Sequence, residues 1–339
     1  MPVYNPLATR RAMNLLRLQS HTFAGWVCAA LLAVGSPALA QDALSLPQVG
    51  YNYGEIETAR TAALGGAQRA LGNSIAALFG NPAGMATARL YHIGALAQIW
   101  PEPSRQSYGA AAVDSIVSSA RLAGGLGGTY NLQDRDGVDR QWTDVRFALA
   151  YPFSDELAVG LGGRYLWLQQ NGLGPLGDSL ASGGLRDQMI VKAIGVDAGI
   201  VLRPTSSVAL GLVSHNFNDP GHGFLPTSLG AGLGLGTDMV AVEADGALDF
   251  TTWDRTRWRG MGGATLLLAD NYPLSAGYRY DSGAKSHAVS GGAGYTAREF
   301  SVELAVRRVV SGITATALVL ELRYHVDATG LTPGGPDAF

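Results

Sequence analysis

The sequence predicts an all-β fold: a 14-stranded antiparallel transmembrane β-barrel with a short helical N-terminal hatch in its lumen. Three observations predict it. Period-two alternation of apolar and small or polar residues begins near Leu90 and recurs in fourteen segments. The connections between segments sort by parity into short and long. No apolar run after Ala40 approaches the roughly 20 residues of a membrane-spanning helix, which excludes a helical inner-membrane protein.

Taken in order, the chain opens on a targeting segment. Arg10, Arg11 and Arg17 precede the apolar run "FAGWVCAALLAVGSPALA", which closes on Ala38-Leu39-Ala40, a small-x-small cleavage pattern. Residues 1–40 are expected to be a signal peptide, with Met1 or Met13 as the start. The single cysteine, Cys28, lies inside it, so residues 41–339 carry no thiol, disulfide or thiolate metal site. Removing residues 1–40, which hold three arginines and no acid, takes the formal net charge from −3 to −6. That acidic balance argues against a nucleic-acid partner, which requires a basic footprint.

Residues 41–56 read as an irregular leader. Residues 57–80 are alanine-rich with apolar positions at helical spacing, interrupted at Gly65, Gly66 and Gly72, so short broken helices are expected. "NPAG" (Asn81, Pro82, Ala83, Gly84) then forces a turn. Pro82 has no N–H and keeps Asn81 out of the helical region, and Gly84 permits close backbone approach. Residues 41–89 are therefore expected to form a plug that leads into a barrel at 90–326, with 327–339 as a tail.

The alternating segments start near residues 90, 106, 119, 141, 156, 189, 206, 225, 239, 256, 271, 286, 299 and 314. Their even number suits a bacterial single-chain barrel, and their length suits a tilted strand crossing hydrocarbon. In "QWTDVRFALAY", Val145, Phe147, Leu149 and Tyr151 oppose Asp144, Arg146 and Ala148; in "TALVLELRYHV", Leu318, Leu320, Leu322 and Tyr324 oppose Val319, Glu321, Arg323 and His325. If the first strand runs outward, the even-numbered turns (152–156, 203–207, 236–238, 269–271, 296–298) are periplasmic and short. The long connections (132–140, 170–187, 217–224) then all lie outside, the parity expected of a membrane barrel.

Alternation alone does not say which face points inward; size does. The lumen of a 14-stranded barrel is too wide for wall side chains to fill, whereas lipid can cover an apolar exterior. The inward set is then Asp144, Arg146, Arg164, Asp197, Glu243, Asp245, Asp249, Arg257, Arg259, Arg279, Glu303, Arg307, Glu321 and Arg323. It reads chiefly as a lattice of ion pairs bracing the wall, with substrate selectivity as the other reading. Aromatics near strand ends (Trp100, Tyr130, Trp142, Tyr151, Trp167, Tyr272, Tyr280, Tyr295, Tyr324) are expected in interfacial girdles.

The stretch "ARTAALGGAQRALGNSIAALFGNPAGMA" (59–86), with Gly65-Gly66-Ala67 and Asn81-Pro82-Ala83-Gly84, resembles the front end of FadL-type outer-membrane transporters, a family of long-chain fatty acid and hydrocarbon channels that includes PorV-like barrels. The resemblance implies a 14-stranded barrel with a lumenal hatch. The chain is expected in a Gram-negative outer membrane, monomeric, in contact with outer-membrane lipid, and without cofactor or enzymatic activity. Its outer loops are shorter than those of the fatty-acid transporters, so a reduced outer ligand-capture surface is expected. Two functions stay open: passive transport of small hydrophobic compounds such as fatty acids, or a plugged PorV-like anchor for surface or secretion machinery. Transport would need an apolar pocket beside the hatch, with Phe79, Met85, Leu166 and Leu168 as candidate lining.

Other constellations carry less. "DRDGVD" (Asp134, Asp136, Asp139) lacks full calcium-loop spacing and reads as a solvated turn. His215, His222 and the Ser286-His287 pair have no triad context, and "GLGLG" (232–236) lacks the helix that a dinucleotide site needs. No metal site is expected.

Overall fold

The structure, a computed structural model, describes residues 56–116, 121–135, 138–171, 188–221 and 225–326. The expected signal peptide, residues 41–55 and the tail lie outside the described residues.

Fourteen antiparallel strands close into a barrel in which each pairs with its sequence neighbours and β1 pairs with β14. They are β1 (Tyr91–Trp100), β2 (Arg105–Asp114), β3 (Ala123–Arg135), β4 (Val138–Pro152), β5 (Leu157–Asn171), β6 (Gln188–Thr205), β7 (Val208–His215), β8 (Ser228–Gly236), β9 (Val240–Asp249), β10 (Arg257–Leu268), β11 (Tyr272–Asp281), β12 (Ser286–Thr296), β13 (Phe300–Ser311) and β14 (Thr316–Val326). Each begins within four residues of its expected start. Before β1 come two short helices, α1 (Ala59–Ala63) and α2 (Ser74–Phe79), and a 3₁₀ turn, Pro82–Ala86.

The two faces of the wall sort as the size argument requires. On β4, Phe147 and Leu149 are 56% and 57% exposed, whereas Asp144 and Arg146 between the same neighbours are 0% and 5%. On β14, Leu320 and Leu322 face out and Glu321 is buried. An apolar belt therefore runs around the outside of a closed, edgeless sheet, where hydrocarbon can cover it. No described helix is long and apolar enough to cross a membrane.

Two expectations are corrected. Residues 132–140 are mostly paired strand, with Asp134 opposite Asp139 and Arg135 opposite Val138. No period-two apolar run continues through "LQDRDGVDR" in the sequence, so the hydropathic alternation that marks a strand is lost while the hydrogen-bond ladder continues. The DRDGVD carboxylates lie outside the described side chains. Secondly, Trp100 and Trp142 leave the girdle. Both point inward and are buried, with the Arg105 guanidinium 4.1 Å from one ring and 4.8 Å from the other. A cation between two aromatic faces is favourable there, and indole at the lipid interface is not its only amphipathic refuge. Tyr130, Tyr151, Trp167, Tyr272, Tyr295 and Tyr324 are exposed on the outer face, and Tyr280 is half-buried beside Trp258.

Phe147 provides the test of this sorting. Phe147→Arg should destabilise the barrel by about 2–4 kcal/mol, the cost of an arginine near a bilayer midplane, measured by denaturant titration in lipid vesicles. A change below about 0.5 kcal/mol would place Phe147 away from lipid.

Candidate functional site in the barrel lumen

The segment 56–90 is built from elements too short to stand alone, and the wall supplies what they lack. Helix α1 is only five residues long. Its N-cap, Thr58, accepts the Thr61 N–H (3.2 Å), and Glu321 on β14 accepts the Ala59 N–H (2.9 Å). Gly65 (φ +71°) and Gly66 (φ +97°) then turn the chain through backbone conformations that side chains disfavour. Gly65 also lies so close to β11 that an added Cβ would sit 2.5 Å from the Tyr278 carbonyl oxygen. Ala67 is buried with Leu64, Ala247 and Met261.

The next four residues are gripped by one strand. Glu243 and Asp245 are two apart on β9, so both side chains point into the lumen. Asp245 Oδ2 accepts the N–H groups of Gln68 (2.9 Å) and Arg69 (3.0 Å) and the Arg69 guanidinium (3.0 Å). Glu243 Oε1 accepts those of Ala70 (2.6 Å) and Leu71 (3.1 Å). Four consecutive amides with no secondary structure of their own are thus satisfied by two wall carboxylates. On α1, burial pushes the Arg60 guanidinium below its ordinary range, opposed by the charges of Glu243 and Glu321.

The Asn-Pro-Ala-Gly turn docks on β4–β6, across the lumen from α1, which packs on β11–β14. Asn81 is fully buried. Its Nδ2 donates to the Arg69 carbonyl (2.9 Å) and to the Ile200 carbonyl on β6 (3.1 Å), and its Oδ1 accepts the Ala83 N–H (3.3 Å). Any side chain at Gly199 would overlap Asn81 Oδ1. Pro82 starts the 3₁₀ turn, Ala83 packs against Ala158 and Val201, and Gly84 presses on the Gly72 carbonyl. Between the two docking sides, Arg146 donates to the Phe79 carbonyl (2.7 Å), Ser290 to Ala63 (2.7 Å) and Gln98 to Glu57. The Glu57 carboxylate meets Arg307 (2.5 Å) and Arg279 (3.5 Å).

The remaining inward charges pair along the wall. Asp144 lies between Arg164 (2.7 Å) and Arg146 (3.4 Å). Arg323 meets Glu303 and Glu321, and Asp281 takes Arg259 and Arg279 at 3.9 Å. Arg257 stands at the outer rim beside Asp254 (3.8 Å), 34% exposed. His215 Nδ1 lies 3.1 Å from Asp197, and Asn216 donates its N–H to the same carboxylate.

Between the segment and the wall is a cavity of about 80 Å³ whose lining includes five arginines (69, 146, 164, 259, 279) and two carboxylates (Glu57, Asp197). It has room for several waters. Of the four residues expected to line an apolar pocket, only Phe79 borders it. Met85 packs with Ile75, Leu78, Leu96 and Val113, while Leu166 and Leu168 join Trp142, Val191 and Leu225 in a separate cluster. The structure therefore does not bring those four together. Glu57, Arg69, Gln98 and Ser290 were not singled out from sequence. Glu57 and Arg69 had a signal, as isolated charges in an alanine-rich segment, whereas Gln98 and Ser290 had none.

No protein-family model and no curated protein matches the sequence. Among solved structures, the chain is similar to the Ralstonia pickettii toluene transporter TbuX (14% identity, 81% of this chain and 99% of that one, TM-score 0.58). It is also similar to the CymD monoaromatic hydrocarbon channel (14%, 79% and 97%, 0.59) and to a Pseudomonas aeruginosa FadL homologue (14%, 80% and 98%, 0.55). The fold is that of the FadL-type outer-membrane transporters, as the resemblance at residues 59–86 implied.

Truncating the grip tests it. Asp245→Ala leaves buried N–H groups without acceptors, at about 1–3 kcal/mol each. Hydrogen exchange at the amides of residues 68 and 69 should accelerate by roughly tenfold or more while strand amides keep their protection. Unchanged exchange there would mean that Asp245 does not hold the segment.

Proposed function

We propose that this chain is an outer-membrane barrel of a Gram-negative bacterium that passes small hydrophobic compounds passively, with the segment before β1 as its gate. It is read as a channel and not an enzyme, as a monomer in contact with outer-membrane lipid, exported by a signal peptide removed near Ala40. One observation carries the reading. Trp142, Leu166, Leu168 and Val191 form an inward apolar cluster on β4–β6 that, unlike the other apolar clusters of the lumen, includes no residue of the segment 56–90. Leu225, from the connection between β7 and β8, covers it.

The physical logic is partition. A hydrophobic compound gains about 25 cal/mol for each Å² of apolar surface it removes from water. It can therefore replace Leu225 at little net cost. A hydrophilic solute gains nothing at such a patch. Onward passage needs the segment to move, because its contacts span the lumen from β11–β14 to β4–β6. The solved structures with the same fold include a toluene transporter and a monoaromatic hydrocarbon channel, which supports the class of cargo. Fatty acids are the finer proposal.

The second reading is a plugged barrel that anchors a partner at the cell surface. The density of direct bonds between segment and wall favours it, since a permanent plug would be held in this way.

Uptake of labelled toluene and oleate by cells expressing the barrel separates the two. Under the transport reading, Leu168→Asp with Leu225→Asp lowers uptake by at least roughly tenfold, because loss of even one leucine's apolar burial, about 1.5–3 kcal/mol, corresponds to that factor. Deletion of residues 43–88 raises permeability in liposome swelling. Uptake no greater than in cells without the barrel, and unmoved by these changes, would leave the anchor.

A further inference from the structure

The closing seam of the barrel carries a feature that neither transport nor plugging uses. His92 on β1 and His325 on β14 are direct cross-strand partners. Both lie at the end of the barrel where the chain enters β1 and leaves β14, and both point inward. The His325 N–H donates to the Glu299 carbonyl on the β13 side (2.7 Å). In an antiparallel strand a residue's N–H and C=O point to the same neighbour. Toward β1 the pair is therefore of the non-hydrogen-bonded kind, in which facing side chains lie closest. The two imidazole centroids are 4.5 Å apart, with the rings inclined at 64°.

Among the described residues, neither ring nitrogen of His92, which is 3% exposed, has a hydrogen-bond partner, nor has Nε2 of His325. Buried imidazoles are ordinarily tied by at least one such bond. The neighbouring cation does not stand against a second one. Arg323, the next inward residue on β14, is already neutralised by Glu303 and Glu321.

From this geometry we infer that His92 and His325 form a binding site for one borderline divalent transition-metal ion of the zinc, copper or nickel class, which clips the first strand of the barrel to the last. Imidazole nitrogen suits these ions and not magnesium or calcium. With a metal–nitrogen bond of about 2.0–2.1 Å, each ring centre lies about 3.2 Å from the ion, so centroids 4.5 Å apart correspond to an angle of about 90° at the metal. A small rotation of either ring opens that angle toward tetrahedral. Water completes the coordination. Because the ligands lie on strands that meet only when the barrel closes, binding is coupled to closure.

The test uses untagged, folded barrel in detergent micelles, titrated with zinc chloride by calorimetry and with copper(II) chloride by electron paramagnetic resonance. The expected result is one ion per chain, with hyperfine coupling to two nitrogens. His92→Ala and His325→Ala should each weaken binding at least as much as the roughly 10–100-fold that loss of an outer-sphere partner costs. His287→Ala, on the outer face, should leave it unchanged. Should the alanine variants fail to give the compact, heat-modifiable band of a folded barrel on gels, His92→Gln and His325→Gln keep the polar volume and serve instead. Zinc should also raise the temperature of that gel transition in the parent protein and not in these variants. Binding that survives loss of both histidines, or that is lost with His287→Ala, would overturn the site. So would the absence of any zinc or copper binding.

Discussion

A backbone placed inside a barrel must find partners for its N–H groups, and the rest of this structure follows from that requirement. Fourteen strands enclose more space than their own inward side chains can fill. The chain fills it with residues 56–90, which are too short and too broken by glycine to satisfy themselves through helices. Glu243 and Asp245 meet the need by accepting four successive amides, 68–71, from adjacent inward positions of one strand. Glu321 does the same for the first turn of α1. The carboxylates that read as bracing charges are thus also the acceptors on which the lumenal segment hangs.

The same requirement explains the composition of the wall. Its outer face needs only to be apolar and wide enough to meet lipid. Its inner face must alternate between charge that grips the segment and glycine that lets it approach. Gly199 admits the Asn81 amide, and Gly277 lies against the backbone between α1 and Gly65. A barrel open to water would need neither. Other inward apolar residues, such as Leu96 and Val113, pack against the segment, whereas the apolar cluster under Leu225 includes none of it.

The barrel was legible because its signal is periodic and repeated. Phe147 and Arg146 differ in face as the alternation requires, and all fourteen segments recur in register. The strand ends between residues 132 and 140 were not legible, since no apolar face marks a strand that projects beyond lipid. Trp100 and Trp142 misled for a related reason: tryptophan near a strand end suits either an interface or a cation, and Arg105 on β2, which reaches both rings, decided the matter. Inward charges were read from alternation, but their partners were not. Nothing local ties Glu243 to Ala70 or Asn81 to Ile200, because these contacts join segments distant in sequence. Leu225 was equally silent, as a lone apolar residue in a connection.

The central claim is that the segment held by these acceptors is a gate. Residues 41–339 contain no cysteine, so a single engineered pair reports cleanly. Ala83 on the 3₁₀ turn and Ala158 on β5 share one buried cluster. With Ala83→Cys and Ala158→Cys joined as a disulfide, uptake of labelled toluene should fall to the level of cells lacking the barrel and return on reduction. Uptake that is the same oxidised and reduced, with the cross-link verified by mass spectrometry, would contradict the gate.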